Sequence, residues 1–199
     1  MNRREAIQRT AMILGYAVAG PAMAGVLNGC QATPALPFKP AFLTAEQAQL
    51  VIALCDVIIP KTDTPGAVEA GVPQFIDDML LSVYTQADKD RMAKGLSAFN
   101  EEARSAYDDV FAEIKKEDQI ALVKKHHEAL AGKSGDSSAG WWRASGAGEK
   151  PLIIEMKELI LLGFFTSQPG ATEVLQYNQA PGPYKGCVPL AEVGKTWAT

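Results

Sequence analysis

The sequence predicts an all-α protein: a compact array of about five helices with an extended, Pro/Gly-rich C-terminal tail. Three observations lead there. Apolar residues recur at three- and four-residue steps, the spacing of one helical face. Helix start and stop signals bracket most of those runs. No stretch of useful length alternates apolar and polar residues with the period of two that a half-buried strand needs. The chain has 199 residues, 47% of them hydrophobic, which is enough to bury a core without disulfide or metal staples.

The first helix follows a capping box, Thr44-Ala45-Glu46-Gln47, in which Thr44 caps and Gln47 reaches back. Ala48, Val51, Ile52, Cys55, Ile58 and Ile59 then recur at helical spacing. Pro60 stops the run, because proline disfavours helical geometry in the residue before it. A second helix follows Gly71, with Pro73 in its first turn, where no N–H is needed. Its predicted stripe is Val72, Phe75, Ile76, Met79, Leu80 and Val83. A third starts near Asp88 and carries Met92, Leu96, Phe99, Ala103 and Tyr107 in a bundle-like seam. Gly95 lies inside it, at a propensity cost of about 1 kcal/mol relative to Ala.

A fourth helix is expected from Glu117 to Ala131, with Ile120, Leu122, Val123 and Leu130 inward and Gly132 as its stop. The fifth, Leu152 to Phe165, is apolar nearly all round, so it is either buried on all sides or covered by a partner. Glu155, Lys157 and Glu158 make it too charged, and its length too short, to span a bilayer. Gln168-Pro169-Gly170 ends it. From Tyr177 the tail is dense in Pro and Gly and is expected to be extended, with no core of its own.

The N-terminus reads as an address. Residues 1–29 have the layout of a twin-arginine export signal: Arg3 and Arg4 adjacent, then an uncharged, Ala/Gly-rich run from Ala11 to Leu27. That route carries folded cargo. A transmembrane anchor is the alternative, but the run is at the short limit for a span and contains Pro21. Leu27-Asn28-Gly29-Cys30 resembles a lipoprotein box, with Cys30 as the lipidated residue; cleavage near Ala22-Met23-Ala24 competes with it. Residues 30–42 form a Pro-rich tether and residues 43–199 the helical body. The expected location is the periplasmic side, as a membrane-anchored lipoprotein held through Cys30.

Composition excludes several functions. The formal net charge is −4, and a chain starting at Cys30 would hold 16 basic and 22 acidic residues, so no nucleic-acid footprint is present. Three Cys and two His are too few soft ligands for a zinc ribbon or an iron–sulfur cluster made by this chain alone. His126 and His127 are adjacent, so on a helix they point about 100° apart and cannot share a metal; a solvated surface is expected for both. Asp77-Asp78, Glu101-Glu102 and Asp108-Asp109 are likewise expected on solvated faces. No phosphate loop, dinucleotide fingerprint, haem-attachment motif or nucleophile elbow occurs, and no catalytic residue is assigned.

Four regions stand out. Residues 132–148 are a long Gly/Ser loop that nonetheless holds Trp141 and Trp142, which either face a partner or tuck onto the chain's own core. The other three are Ile59-Pro60-Lys61-Thr62-Asp63-Thr64-Pro65-Gly66-Ala67, Phe165-Thr166-Ser167-Gln168-Pro169-Gly170, and Pro181-Gly182-Pro183-Tyr184-Lys185-Gly186. In this order, behind a twin-arginine leader, these last three resemble the gluconate 2-dehydrogenase subunit 3 family over roughly Leu43 to Pro189. Members are small, exported, helical accessory subunits of membrane-associated flavoprotein dehydrogenases.

The resemblance implies a non-catalytic subunit with no cofactor of its own. It would stabilise a glucose–methanol–choline (GMC) type large subunit that holds FAD, and supply its export signal. A cytochrome c subunit with haem c would take the electrons. The expected partner surface comprises Trp141, Trp142, Phe164, Phe165 and Tyr184. Cys187, in the tail, is expected to pair with a cysteine of the large subunit; a bridge to Cys55 is the alternative. The competing functional reading is a free-standing envelope lipoprotein that binds a small ligand or acts as a scaffold.

Overall fold

The computed structural model describes residues 36–131, 151–177, 182–183 and 186–198. The chain divides into two units, Met1–Pro37 and Phe38–Thr199, and the described residues lie almost wholly in the second. That unit is all-α, as the sequence predicts. Its five long helices are α1 (Ala45–Ile58), α2 (Val72–Ser82), α3 (Gln86–Tyr107), α4 (Lys116–Ala131) and α5 (Leu152–Thr166). A π-helical turn (Gly170–Val174) and a one-turn α6 (Leu190–Val193) follow.

Local signals account for the helix ends. The capping box at α1 forms: Gln47 N donates to Thr44 Oγ1 at 3.2 Å, and Thr44 N donates to Gln47 Oε1 at 3.1 Å. The same Gln47 side chain donates to the Ala93 carbonyl at 3.2 Å, so the cap also ties α1 to α3. Ahead of α2 the chain passes through Gly71 at φ 76°, a left-handed conformation that suits glycine. α3 begins two residues before Asp88, because Thr85 caps it by accepting from Asp88 N at 3.3 Å.

α1 and α5 form the centre: each touches the other four long helices, and α5 lies most extensively on α2. Gly163 makes that contact close, since a Cβ there would stand 2.6 Å from the Phe75 ring and 3.2 Å from Val72. Gly95 plays a similar part on α3, where a Cβ would stand 3.2 Å from Leu152. The propensity cost of that glycine therefore accompanies a close helix–helix approach. The expected seam residues Met92, Leu96, Phe99 and Ala103 are all buried.

Phe111, between α3 and α4, is a core residue that periodicity did not reveal. It is fully buried, with its ring centroid 5.1 Å from that of Phe99. Two buried amides hold its turn: Phe111 N donates to Asn100 Oδ1 at 3.0 Å, and Gln119 Nε2 donates to the Phe111 carbonyl at 2.7 Å. Gln119 thereby fixes the rotation of α4. Leu122 faces in, but Ile120, expected inward, is 47% exposed. Val83 is corrected in the same way: it is the residue that caps the end of α2, where the chain turns off the core, and it is 64% exposed.

Asp77 departs furthest from expectation. It is not on a solvated face but buried, and its carboxylate accepts from Ala41 N at 2.6 Å, Leu43 N at 2.7 Å and Phe42 N at 3.1 Å. These amides precede α1 and have no helical partner, so a buried carboxylate supplies the acceptors they need. Ala41 and Phe42, read from sequence as the end of a tether, are held to the body this way. Asp78, one residue on, is exposed.

Most of the described tail is exposed, as expected of a segment with no core of its own, but its end does not run free. It folds back on Gln176, whose N–H donates to the Thr196 carbonyl and whose carbonyl accepts from Ala198 N, both at 2.9 Å. An isolated parallel bridge, Gln176 to Trp197, results. The Gln176 side chain also donates to the carbonyls of Val193 and Lys195.

Candidate partner-binding surface

The apolar α5 has two sides in the folded chain. Ile153, Met156, Ile160 and Phe164 lie in the core. Ile154, Leu161, Leu162 and Phe165 recur at seven-, one- and three-residue steps on another side, and Leu162 and Phe165 remain 49% and 41% exposed. The two adjacent phenylalanines thus separate. Phe164, expected at a partner interface, is a core residue, whereas Phe165 faces outward with its ring edge-on to Phe164 at 5.3 Å.

A groove of about 670 Å³ opens beside this side of the helix, lined by Tyr84, His127, Ile154, Lys157, Leu161 and Leu162 among others. Buried Glu155 also borders it, and its charge is matched by a two-pronged pairing: Arg91 Nη1 and Nη2 donate to the two carboxylate oxygens at 2.7 and 3.1 Å. That pairing pushes the Arg91 guanidinium's pKa up. Tyr84 is pushed up too, by burial first and then by the negative charge of Glu155, so its hydroxyl stays protonated at neutral pH.

The two histidines diverge, as adjacency on a helix requires, but neither is simply solvated. His126 Nε2 donates to Glu102 Oε2 at 2.8 Å and packs its ring edge-on to Phe99, tying α4 to α3. Lys125 completes that cluster at 2.8 Å from Glu102 Oε1. Hydrogen bonds from Lys125 and then His126 hold the Glu102 carboxyl below the usual carboxylate range. His127 turns to the groove, where its Nε2 stands 3.3 Å from Lys157 Nζ. Among the described residues no group of three or more His, Cys, Asp or Glu is placed to hold a metal ion. No described helix is long and apolar enough to cross a membrane.

The motif segments build structure. Ala67 N donates to the Ile59 carbonyl at 3.0 Å and Thr62 N to the Thr64 carbonyl at 3.1 Å, closing the first segment on itself. A Cβ at Gly66 would lie 2.8 Å from Lys61 N, so only glycine fits that closure. In the second segment Ser167 Oγ donates to the Phe164 carbonyl at 2.6 Å and accepts from Gly170 N at 3.2 Å. A Cβ at Gly170 would come within 2.0 Å of the Phe164 oxygen, which explains glycine there.

Cys187 is exposed and Cys55 buried, and the two are not bonded to each other. Burial pushes the Cys55 thiol's pKa far up, which leaves it inert. Arg3, Arg4, Cys30, Trp141, Trp142 and Tyr184 lie outside the described residues. Sequence reasoning missed Tyr84, His127, Lys157 and Leu162 as neighbours. The available signal was the second set of apolar positions on α5.

The sequence profile of the gluconate 2-dehydrogenase subunit 3 family matches residues 45–182. This chain belongs to that family. The match begins at α1 and covers all five long helices. No curated protein and no solved structure matches the chain. Family membership makes it an accessory subunit of a gluconate 2-dehydrogenase-type complex, with dehydrogenase subunits as its partners.

Proposed function

We propose that this chain is the non-catalytic small subunit of a periplasmic, membrane-associated flavoprotein dehydrogenase acting on a sugar, sugar acid or polyol. It stabilises the FAD-holding, GMC-type large subunit and carries it through twin-arginine export. A cytochrome c subunit takes the electrons. Lipidated Cys30 tethers the complex to the membrane, and exposed Cys187 pairs with a cysteine of the large subunit.

Membership of the subunit 3 family is the observation that carries this reading. Further support comes from the Arg3-Arg4 head and the weakly apolar run behind it, which suit export of folded cargo. The Cys30 box followed by a Pro-rich segment suits a lipid tether. The outward apolar side of α5 offers area to a second subunit.

Changing Arg3 and Arg4 together to Lys tests the carrier role. The expected outcome is this chain and the flavoprotein stranded together in the cytoplasm, read by fractionation and dehydrogenase activity in each compartment. A flavoprotein that still reaches the periplasm at wild-type level overturns it.

A further inference from the structure

The proposed function leaves open which surface receives the large subunit. Leu162, half-exposed on α5, lines the groove with Ile154 and Leu161, and half-exposed Phe165 follows it three residues on along the same helix. The apolar surface is thus one continuous area, part concave and part open. A small-molecule site would enclose most of its ligand, whereas an open apolar centre with charged groups around it is the anatomy of a protein interface.

The charges on the groove define what fits. Two carboxylates line the groove and both are engaged: Glu155 is neutralised by Arg91, and Glu158 has an interaction of its own. Lys157 is half-buried beside apolar walls, its ammonium next to His127, and among the described residues it makes no salt bridge with a carboxylate. An ammonium so placed attracts an anionic group, which would also restore what its partial burial removes from water.

We propose that this groove seats the large subunit of the dehydrogenase, through a segment that carries large apolar side chains and one carboxylate. The apolar side chains fill the space over Ile154, Leu161 and Leu162 and cover Phe165. The carboxylate pairs with Lys157. This assignment rests on the accessory-subunit reading.

The test uses the full-length chain and the dehydrogenase subunit that co-purifies with it. In the double variant Leu162→Glu, Phe165→Glu, the Kd is expected to rise about 30-fold or more. In Lys157→Glu, association is expected to slow about tenfold at low salt, with the difference shrinking at high salt. Lys157→Arg keeps wild-type rates. Circular dichroism and Tm of each isolated variant match the wild type. If the double variant does not fold, Lys157→Glu against Lys157→Arg decides alone.

Wild-type Kd in Leu162→Glu, Phe165→Glu and in Lys157→Glu overturns the groove and leaves the accessory-subunit reading standing. A wild-type chain that brings down no dehydrogenase subunit overturns both. A homodimer of the isolated chain that the double variant dissociates assigns the groove to a second copy instead. A Tm lowered by the double variant with Kd unchanged assigns it to this chain's own residues.

Discussion

The two sides of α5 are nearly alike in composition and opposite in environment. Ile160 and Phe164 are inside; Leu162 and Phe165, one or two positions along the chain from them, are about half exposed. Hydrophobicity therefore does not select the buried side. The neighbours do: α1, α2, α3 and α4 all pack on α5, and Gly163 lets α2 approach closely. A side chain surrounded by four helices stabilises the fold, and one facing outward is free to stabilise a complex.

The largest effect that could break this contrast is on the inner side. Ile160→Ala should lower stability by about 3 kcal/mol, through lost burial and the cavity left behind. Leu162→Ala should cost less than about 1 kcal/mol. Urea denaturation of the two variants measures both, and equal losses would refute the two-sided description.

The same contrast recurs with charge in α2. Asp77 is buried and accepts three backbone N–H bonds, while Asp78 is exposed. Asp77→Asn turns an acceptor into a donor facing other donors, and should cost about 2 kcal/mol. Asp78→Asn should stay within about 0.5 kcal/mol. Hydrogen exchange sharpens the comparison: protection of the Ala41, Phe42 and Leu43 amides should fall in the first variant only.

The smallest effect concerns the α3–α4 clasp. Glu102, about one-third exposed at 32%, is held below its ordinary pKa by Lys125 and His126. Its folded value is therefore lower than its unfolded value of about 4.3. The stability it contributes is fully present above that unfolded value and is lost as pH falls through the folded one. Thermal melts of wild type and Glu102→Gln should differ by a small, constant margin near neutral pH. The two curves should converge below about pH 4. A margin that persists at lower pH would show that the Gln side chain acts by packing rather than by charge.

Much of the helical architecture could be read along the chain because its causes are local. Thr44 with Gln47, Pro60 and Gly71 act within a few residues of themselves, and each marks a boundary close to the predicted place. Errors came where one helix's rotation depends on another segment. Ile120 has the right spacing to be buried, yet the Gln119 amide turns inward to hold the Phe111 turn, and Ile120 faces out. The groove was less legible than the helices. Tyr84, His127 and Lys157 are far apart in sequence, and no motif links them.

The sequence by itself determined the all-α class, the five long helices and the family, because capping and i to i+4 hydrogen bonding are short-range and the motif glycines follow from close local contacts. Only the tertiary structure decided which side of α5 is core, why Asp77 is buried and where the tail returns to Gln176. Each of those depends on groups tens of residues away, or on a helix surface apolar enough to satisfy either environment. Chain order alone does not say which of two adequate apolar sides will meet four helices and which will be left facing outward.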